Sequence, residues 1–178
     1  MLVRKPRETE MKTWILFDWG NTLMRAIPGM KGPMRDWPRV EAMPGVRQTL
    51  RLLHGKVGLA VATGLPGAQE ADVRAALARE DLETFFKRVF CPGNLGLTKS
   101  DPGFYPAVAQ ALHSDPAHLV MVGDHFQEDC EAALSAGLHA IWYDAGAGET
   151  RIGHHLTTIH HLEALPGVLM GWGMLPRE

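Results

Sequence analysis

Six residues of this chain have the types and spacing of a single chemistry. Asp18 ends one apolar run, Thr63 and Gly64 end another, Lys99 stands in a loop ahead of a helical pattern, and Asp124 and Asp129 follow a third apolar run. Three carboxylates brought into one cleft repel each other unless a cation neutralises them, and an all-oxygen donor set favours a hard ion such as Mg²⁺. The Thr63 hydroxyl, the Gly64 amide and the Lys99 ammonium are what the equatorial oxygens of a phosphoryl group require, because phosphoryl transfer is catalysed mainly by positioning and charge stabilisation. A carboxylate beside the metal can then attack phosphorus and form an aspartyl phosphate.

Such a site needs elements that deliver these residues to one place. Continuous apolar runs at 13–17, 57–62, 87–91, 118–123 and 138–143, with a weaker one at 156–159, read as strands covered on both faces. Between them the periodicity predicts helices over 45–54, 67–80, 102–113 and 127–137, with a closing helix after the last strand. Asp101 before Pro102 reads as a helix N-cap followed by a proline at the first helical position, and Gly137 as a helix C-cap. Strands alternating with helices in this way give an α/β fold built of βαβ units around a mainly parallel sheet. Ligands of such sheets bind beyond the carboxyl ends of the strands, which is where Asp18, Thr63, Gly64 and Asp124 fall.

Composition narrows the partners. A chain of 178 residues with 46% hydrophobic and 21% charged residues and a formal charge of −2 is the length of one domain, and it lacks the basic excess that nucleic-acid binding needs. Residues 1–12 form a polar leader, and no apolar run approaches the ~18 residues of a membrane span, so neither a signal peptide nor a membrane partner is expected. Two distant cysteines, Cys91 and Cys130, fit buried small hydrophobes in a reducing cytoplasm. Residues 25–43 carry three prolines, two glycines and three methionines and read as a flap without regular structure.

Four ordered segments, "FDWGNTL", "AVATG", "LTKSDPGFY" and "MVGDHFQEDCEAALSAG", resemble the motifs of the haloacid dehalogenase superfamily of phosphatases and related hydrolases. The resemblance spans residues 13–144. It implies a three-layer, Rossmann-like sandwich, Asp18 as nucleophile and Mg²⁺ ligand, the Gly20 carbonyl as a second ligand, and Asp124 binding the metal with Asp129 supporting it directly or through water. Thr63, Gly64 and Lys99 would hold the phosphoryl group of a phosphorylated substrate, small or macromolecular.

Two departures qualify that pattern. Phosphatases of the superfamily usually carry a second aspartate two residues after the nucleophile, as general acid and then base, where this chain has Gly20. Losing such a group costs about 10²- to 10⁴-fold in rate, which slows the chemistry without abolishing it. The intervals between motifs also leave room for a short flap rather than a cap domain, so an open site is expected, suiting a macromolecular substrate, cover by a partner subunit in a homo-oligomer, or slow turnover. The alternatives are a binding module for phosphorylated ligands or proteins, and, with less support, a phosphonate hydrolase or a dehalogenase. The former of this last pair would need a cap-domain lysine where the flap offers only Lys31, and a dehalogenase needs no metal.

Other residues carry bland readings beside functional ones. Asp18 alone would suit a turn, Thr63 a helix cap, Lys99 a solvated charge and Asp129 a first-turn acid; their weight comes from the set. Of the nine histidines, His154, His155, His160 and His161 read as surface or capping residues ahead of a zinc site, and His125 adjoins Asp124 as a stand-in for the missing acid. Trp37 and the flap methionines line either a substrate entrance or a dimer contact, or pack the flap on the core, and Trp19 reads as packing.

Overall fold

The computed structural model of the chain describes residues 13–146 and 148–175; the polar leader expected over residues 1–12 lies outside the described residues. Its elements in chain order are β1 (Trp14–Phe17), α1 (Val46–Leu53), β2 (Gly58–Ala62), α2 (Glu70–Ala78), β3 (Arg88–Phe90), α3 (Pro92–Leu95), α4 (Phe104–Ala111), β4 (Leu119–Gly123), α5 (Ala132–Ser135), β5 (His139–Tyr143), β6 (Leu156–Ile159) and α6 (Leu165–Gly171). The strands form one six-stranded sheet in the order β3-β2-β1-β4-β5-β6, and every pairing is parallel. This is a doubly wound, Rossmann-like arrangement whose strand order reverses between β1 and β4, the point at which such sheets open a crevice for ligands.

Alternation along the strands splits the core in two. Ile15, Phe17, Leu59, Val61, Val120 and Val122 face one apolar layer, built with Leu50 and Leu53 of α1, Val73 and Leu77 of α2 and Leu165 and Leu169 of α6. Trp14, Leu16, Ala60, Ala62, Leu119 and Met121 face the other, built with Phe104, Tyr105 and Val108 of α4 and Ala133 of α5. Burial on both faces explains why β1, β2 and β4 are unbroken apolar runs.

The structure departs from the sequence-based expectation at two elements that carry site residues and at one that does not. Asp101 does not cap α4: Gly103 precedes that helix, and the Asp101 carboxylate instead accepts the Thr98 N–H at 2.7 Å and its hydroxyl at 3.0 Å, closing the turn that carries Lys99. The helix expected over 127–137 opens as a π-helical turn over Phe126–Glu131 before α5, and Asp129 lies within that turn. Gly137 follows α5 with φ +86°, and the Leu138 N–H bonds back to the Ala133 carbonyl, so the expected glycine helix end is present. The short α3 carries no apolar periodicity, and the sequence gives no sign of it.

The 25–43 flap is tied down at both ends. Met24 bridges Ala42 in antiparallel fashion, the Arg25 N–H bonds to the Glu41 carbonyl at 2.8 Å, and a 3₁₀ turn at Met34–Asp36 buries Met34 against the core.

Candidate active site

β1 and β4 are neighbours in register, Phe17 opposite Val122, so the first residues past both strand ends, Asp18 and Asp124, emerge side by side. The Asp18 N–H still bonds to the Val122 carbonyl at 2.8 Å, fixing the strand end to its neighbour. After Asp18 the chain turns at once: Asn21 takes a left-handed conformation (φ 58°), its side-chain oxygen accepts the Ala26 N–H at 3.0 Å, and the bonds closing the turn fall on the Trp19 and Met24 carbonyls.

Lys99 is the centre of the arrangement. Its side chain is 2% exposed, and its Nζ donates to Asp18 Oδ1 and Asp129 Oδ1, both at 2.6 Å. Burial opposes the charge on Nζ, but the two carboxylates outweigh it and hold the ammonium above the ordinary lysine range. Asp129 is itself buried, and its second oxygen accepts the His125 N–H at 3.0 Å. It fits beneath β4 because Gly123 has no side chain: a Cβ there would collide with the Asp129 carboxylate.

One ammonium does not balance three carboxylates. Oxygens of Asp18, Asp124 and Asp129 all lie within 4.8 Å of one another. Burial, with the charges of Asp18 and Asp129, raises Asp124 to about 7; burial raises Asp129 to about 6, with Lys99 opposing and Asp18 adding to the rise. A cluster of hard oxygen donors left with excess negative charge suits a divalent cation, so these residues fit the Mg²⁺ that the motifs imply. Both Asp129 oxygens have close protein partners, whereas the Thr22 hydroxyl reaches Asp18 Oδ2 and Asp124 Oδ1 only at 3.4 and 3.5 Å, so these two carboxylates are the more open to a cation.

Thr63 follows β2, is buried, and accepts the Leu65 N–H on its hydroxyl at 3.2 Å. A Cβ on Gly64 would press at 3.0–3.1 Å on the Lys99 side chain and backbone, so glycine there lets the two loops close up. Asp18, Gly20, Thr63, Gly64, Lys99 and Asp129 all line one cavity of about 920 Å³. Asp124 lies beside it, in the carboxylate cluster.

Sequence reasoning missed two residues here. Thr22 is fully buried, with its hydroxyl 3.4 Å from Asp18 Oδ2 and 3.5 Å from Asp124 Oδ1; a threonine four residues after the aspartate, in a turn that buries it, is the signal. Trp142 on β5 donates its indole N–H to the Asp124 carbonyl at 2.9 Å, which no local pattern reveals.

The remaining candidates sort by position. Trp37 and Met34 of the flap line the cavity and also pack on the core, Met34 within it and Trp37 against it. Trp19 is 4% exposed and does the same, with its indole nitrogen lacking a hydrogen-bond partner. Lys31 is exposed and is not among the lining residues. His154 and His155 form a hydrogen-bonded chain with His139, while His160 bonds to the Asp144 carbonyl, so the paired histidines do not converge. Among the described residues, the metal-capable group is the three aspartates.

Fold and site together define a doubly wound α/β protein with a lysine-bridged carboxylate centre at its switch point. The chain belongs to the haloacid dehalogenase-like hydrolase family, whose model matches residues 31–137. That span holds Thr63, Lys99, Asp124 and Asp129 and stops short of Asp18, which β1 brings to them. The chain is 35% identical over 92 residues to a phosphoserine phosphatase of Thermus thermophilus, covering 50% of this chain and 35% of that protein. It is 29% identical over 132 residues to a phosphoglycolate phosphatase of Rhodobacter capsulatus, covering 72% and 58%. It thus spans between about a third and three fifths of the length of these relatives. Its fold is shared with a protein of Listeria monocytogenes serotype 4b, at TM-score 0.79 and 19% identity over 92% of this chain and 99% of that one. A HAD-hydrolase of Bacillus subtilis bound to magnesium has the same fold, at TM-score 0.70 and 14% identity over 89% and 99%.

Proposed function

We propose that the chain is a phosphatase that hydrolyses a phosphate monoester through a phospho-Asp18 intermediate. The observation that carries this reading is the Lys99 ammonium 2.6 Å from Asp18 Oδ1, in a cavity shared with Thr63 and Gly64. The Asp18 carboxylate oxygen that Lys99 does not hold attacks phosphorus as the ester oxygen departs with its bonding electrons, and water then attacks the acyl phosphate, releasing phosphate and restoring Asp18. Lys99 holds Asp18 in line and offers its positive charge to the transferred group. Thr63 and the Gly64 amide orient the remaining phosphoryl oxygens, and Asp129 keeps Lys99 in place.

Asp18, Asp124 and the Gly20 carbonyl would hold Mg²⁺, with Asp129 assisting. When bound, the ion supplies the charge that draws an anionic phosphoryl group toward a carboxylate nucleophile. The relatives named as phosphoserine and phosphoglycolate phosphatases support phosphoester chemistry.

The test is phosphate release from p-nitrophenyl phosphate and acetyl phosphate, with Mg²⁺ and with EDTA. Mg²⁺-dependent release that Asp18→Asn abolishes is expected. No release from either substrate, with retention of a phosphorylated ligand, would instead favour the binding-module reading that Gly20 invites.

A further inference from the structure

Resting on the phosphatase reading above, we propose that the leaving group is an uncharged phenol, making phosphate esters of neutral aromatic alcohols the substrate class. Two independent features point the same way.

The first is position 20. Expelling an alkoxide, whose parent alcohol is about as weak an acid as water, needs a proton donor at the ester oxygen. A phenol, with a pKa of about 10, leaves as its anion and takes a proton from solvent. In this reaction the aryl O–P bond breaks with its electron pair going to the phenolate oxygen, while the Asp18 O–P bond forms. Gly20 offers no acid to that oxygen, and a Cβ there would meet nothing within 4 Å, so no neighbouring side chain takes the place that the acid would occupy.

The second is the wall beyond the phosphoryl site. Trp19, Met34, Trp37, Leu65 and Pro66 line the cavity, whose volume of about 920 Å³ admits an aromatic ring with substituents. This wall is fixed rather than adaptable. The Trp37 indole N–H bonds to the Gly32 carbonyl at 3.1 Å, and the Arg79 guanidinium of the turn ending α2 donates to the Trp37 carbonyl at 2.6 Å. A rigid aromatic surface suits a flat apolar group.

Charge completes the selection. Lys99 is the only lysine or arginine among the lining residues, and two carboxylates already hold it. Arg35 beside the cavity and Asp72 of its wall neutralise each other at 2.7 Å, and Glu128 adds a carboxylate to the lining. A leaving group carrying a carboxylate, as in phosphoserine or phosphoglycolate, therefore meets the Glu128 carboxylate and no lysine or arginine free of a carboxylate partner, so this chain departs in substrate from the relatives bearing those names.

The test compares phenyl phosphate with 4-carboxyphenyl phosphate, whose phenols leave with similar ease, and uses acetyl phosphate, an acyl phosphate, as a ringless substrate with a good leaving group. Phenyl phosphate is expected to exceed its carboxylated analogue in kcat/KM by at least about tenfold, and Leu65→Arg to narrow that gap. Trp37→Ala is expected to cut the phenyl-over-acetyl preference about tenfold. In the wild-type protein, phenylphosphonate should perturb tryptophan fluorescence at concentrations where methylphosphonate does not. Equal kcat/KM for the two aryl esters, or a preference that survives Trp37→Ala, overturns the assignment while leaving the phosphatase reading intact. Silence on all three substrates sinks both.

Discussion

The Asp129 carboxylate occupies the space where a side chain on Gly123 would begin. Glycine at the end of β4 is thus a condition for Asp129 to reach Lys99, and through it Asp18. Gly123→Ala must push Asp129 aside, and its neighbours, Lys99 and the His125 N–H, leave it nowhere close to go. We expect a loss of about 1–3 kcal/mol in urea unfolding, typical of overpacking, together with weaker Mg²⁺ binding in a calorimetric titration. A variant as stable as wild type with unchanged Mg²⁺ affinity contradicts this account.

The charge imbalance in the cluster sets a pH dependence on the metal-free protein. Asp124, with an ordinary value of 3.8, stands at about 7 in the folded state, and Asp129 at about 6. A carboxyl raised on folding favours the folded state most when both states are protonated, below about pH 4, and that contribution is lost as pH rises through 6 and 7. In EDTA, Asp124→Asn should therefore raise Tm at pH 8 and raise it less at pH 5. Mg²⁺ should stabilise the wild type more at pH 8 than at pH 5, since it binds the ionised carboxylates. Melting curves at the two pH values, with and without Mg²⁺, decide it; a Tm gain from Asp124→Asn that is larger at pH 5 refutes it.

Gly20→Asp tests the missing acid. The position has space for a side chain and an ordinary backbone conformation, so the variant should fold with little change in Tm. An acid placed near the ester oxygen contributes about 10²- to 10⁴-fold where the leaving group needs a proton. We expect a gain toward that range in kcat/KM for an alkyl phosphate such as glycerol phosphate and a small change for p-nitrophenyl phosphate. Equal effects on both esters, measured by phosphate release, show that protonation of the leaving group is not what position 20 controls.

These features differ in how far the sequence discloses them. The central strands β1, β2 and β4 were legible because both their faces are covered, making each an apolar run ended by turn residues, while the half-buried edge strand β6 gave a weaker signal, and Asp18, Thr63 and Asp124 stood out as polar residues at the central strand ends. Lys99 stood out only as one member of an ordered set. Its bridging of Asp18 and Asp129 depends on a turn closed by Asp101, a residue whose place before Pro102 resembles a helix cap, and local pattern does not separate those two uses. Trp142 reaches Asp124 across adjacent strands, a contact that exists only once β4 and β5 pair. The flap shows the same limit: its composition announces irregular structure, while the contacts that fix it come from α2.

Those contacts give a last prediction. Arg79 donates to the carbonyls of Arg35 at 3.1 Å, Trp37 at 2.6 Å and Pro38 at 3.4 Å, so one guanidinium ties three backbone groups of the flap to the end of α2. Arg79→Met retains most of the stem and removes the donors. Arg79 is exposed, so water replaces much of what is lost and the stability change should stay near about 1 kcal/mol. The larger effect is expected on the site: a loosened flap no longer presents Trp37 in a fixed orientation, so KM for phenyl phosphate should rise several-fold. The kcat should hold, because Asp18, Lys99 and Thr63 lie on other elements. Limited proteolysis should also cut faster within residues 28–38. If KM and the cleavage rate both match wild type, the flap is held by its Met34 packing and not by Arg79.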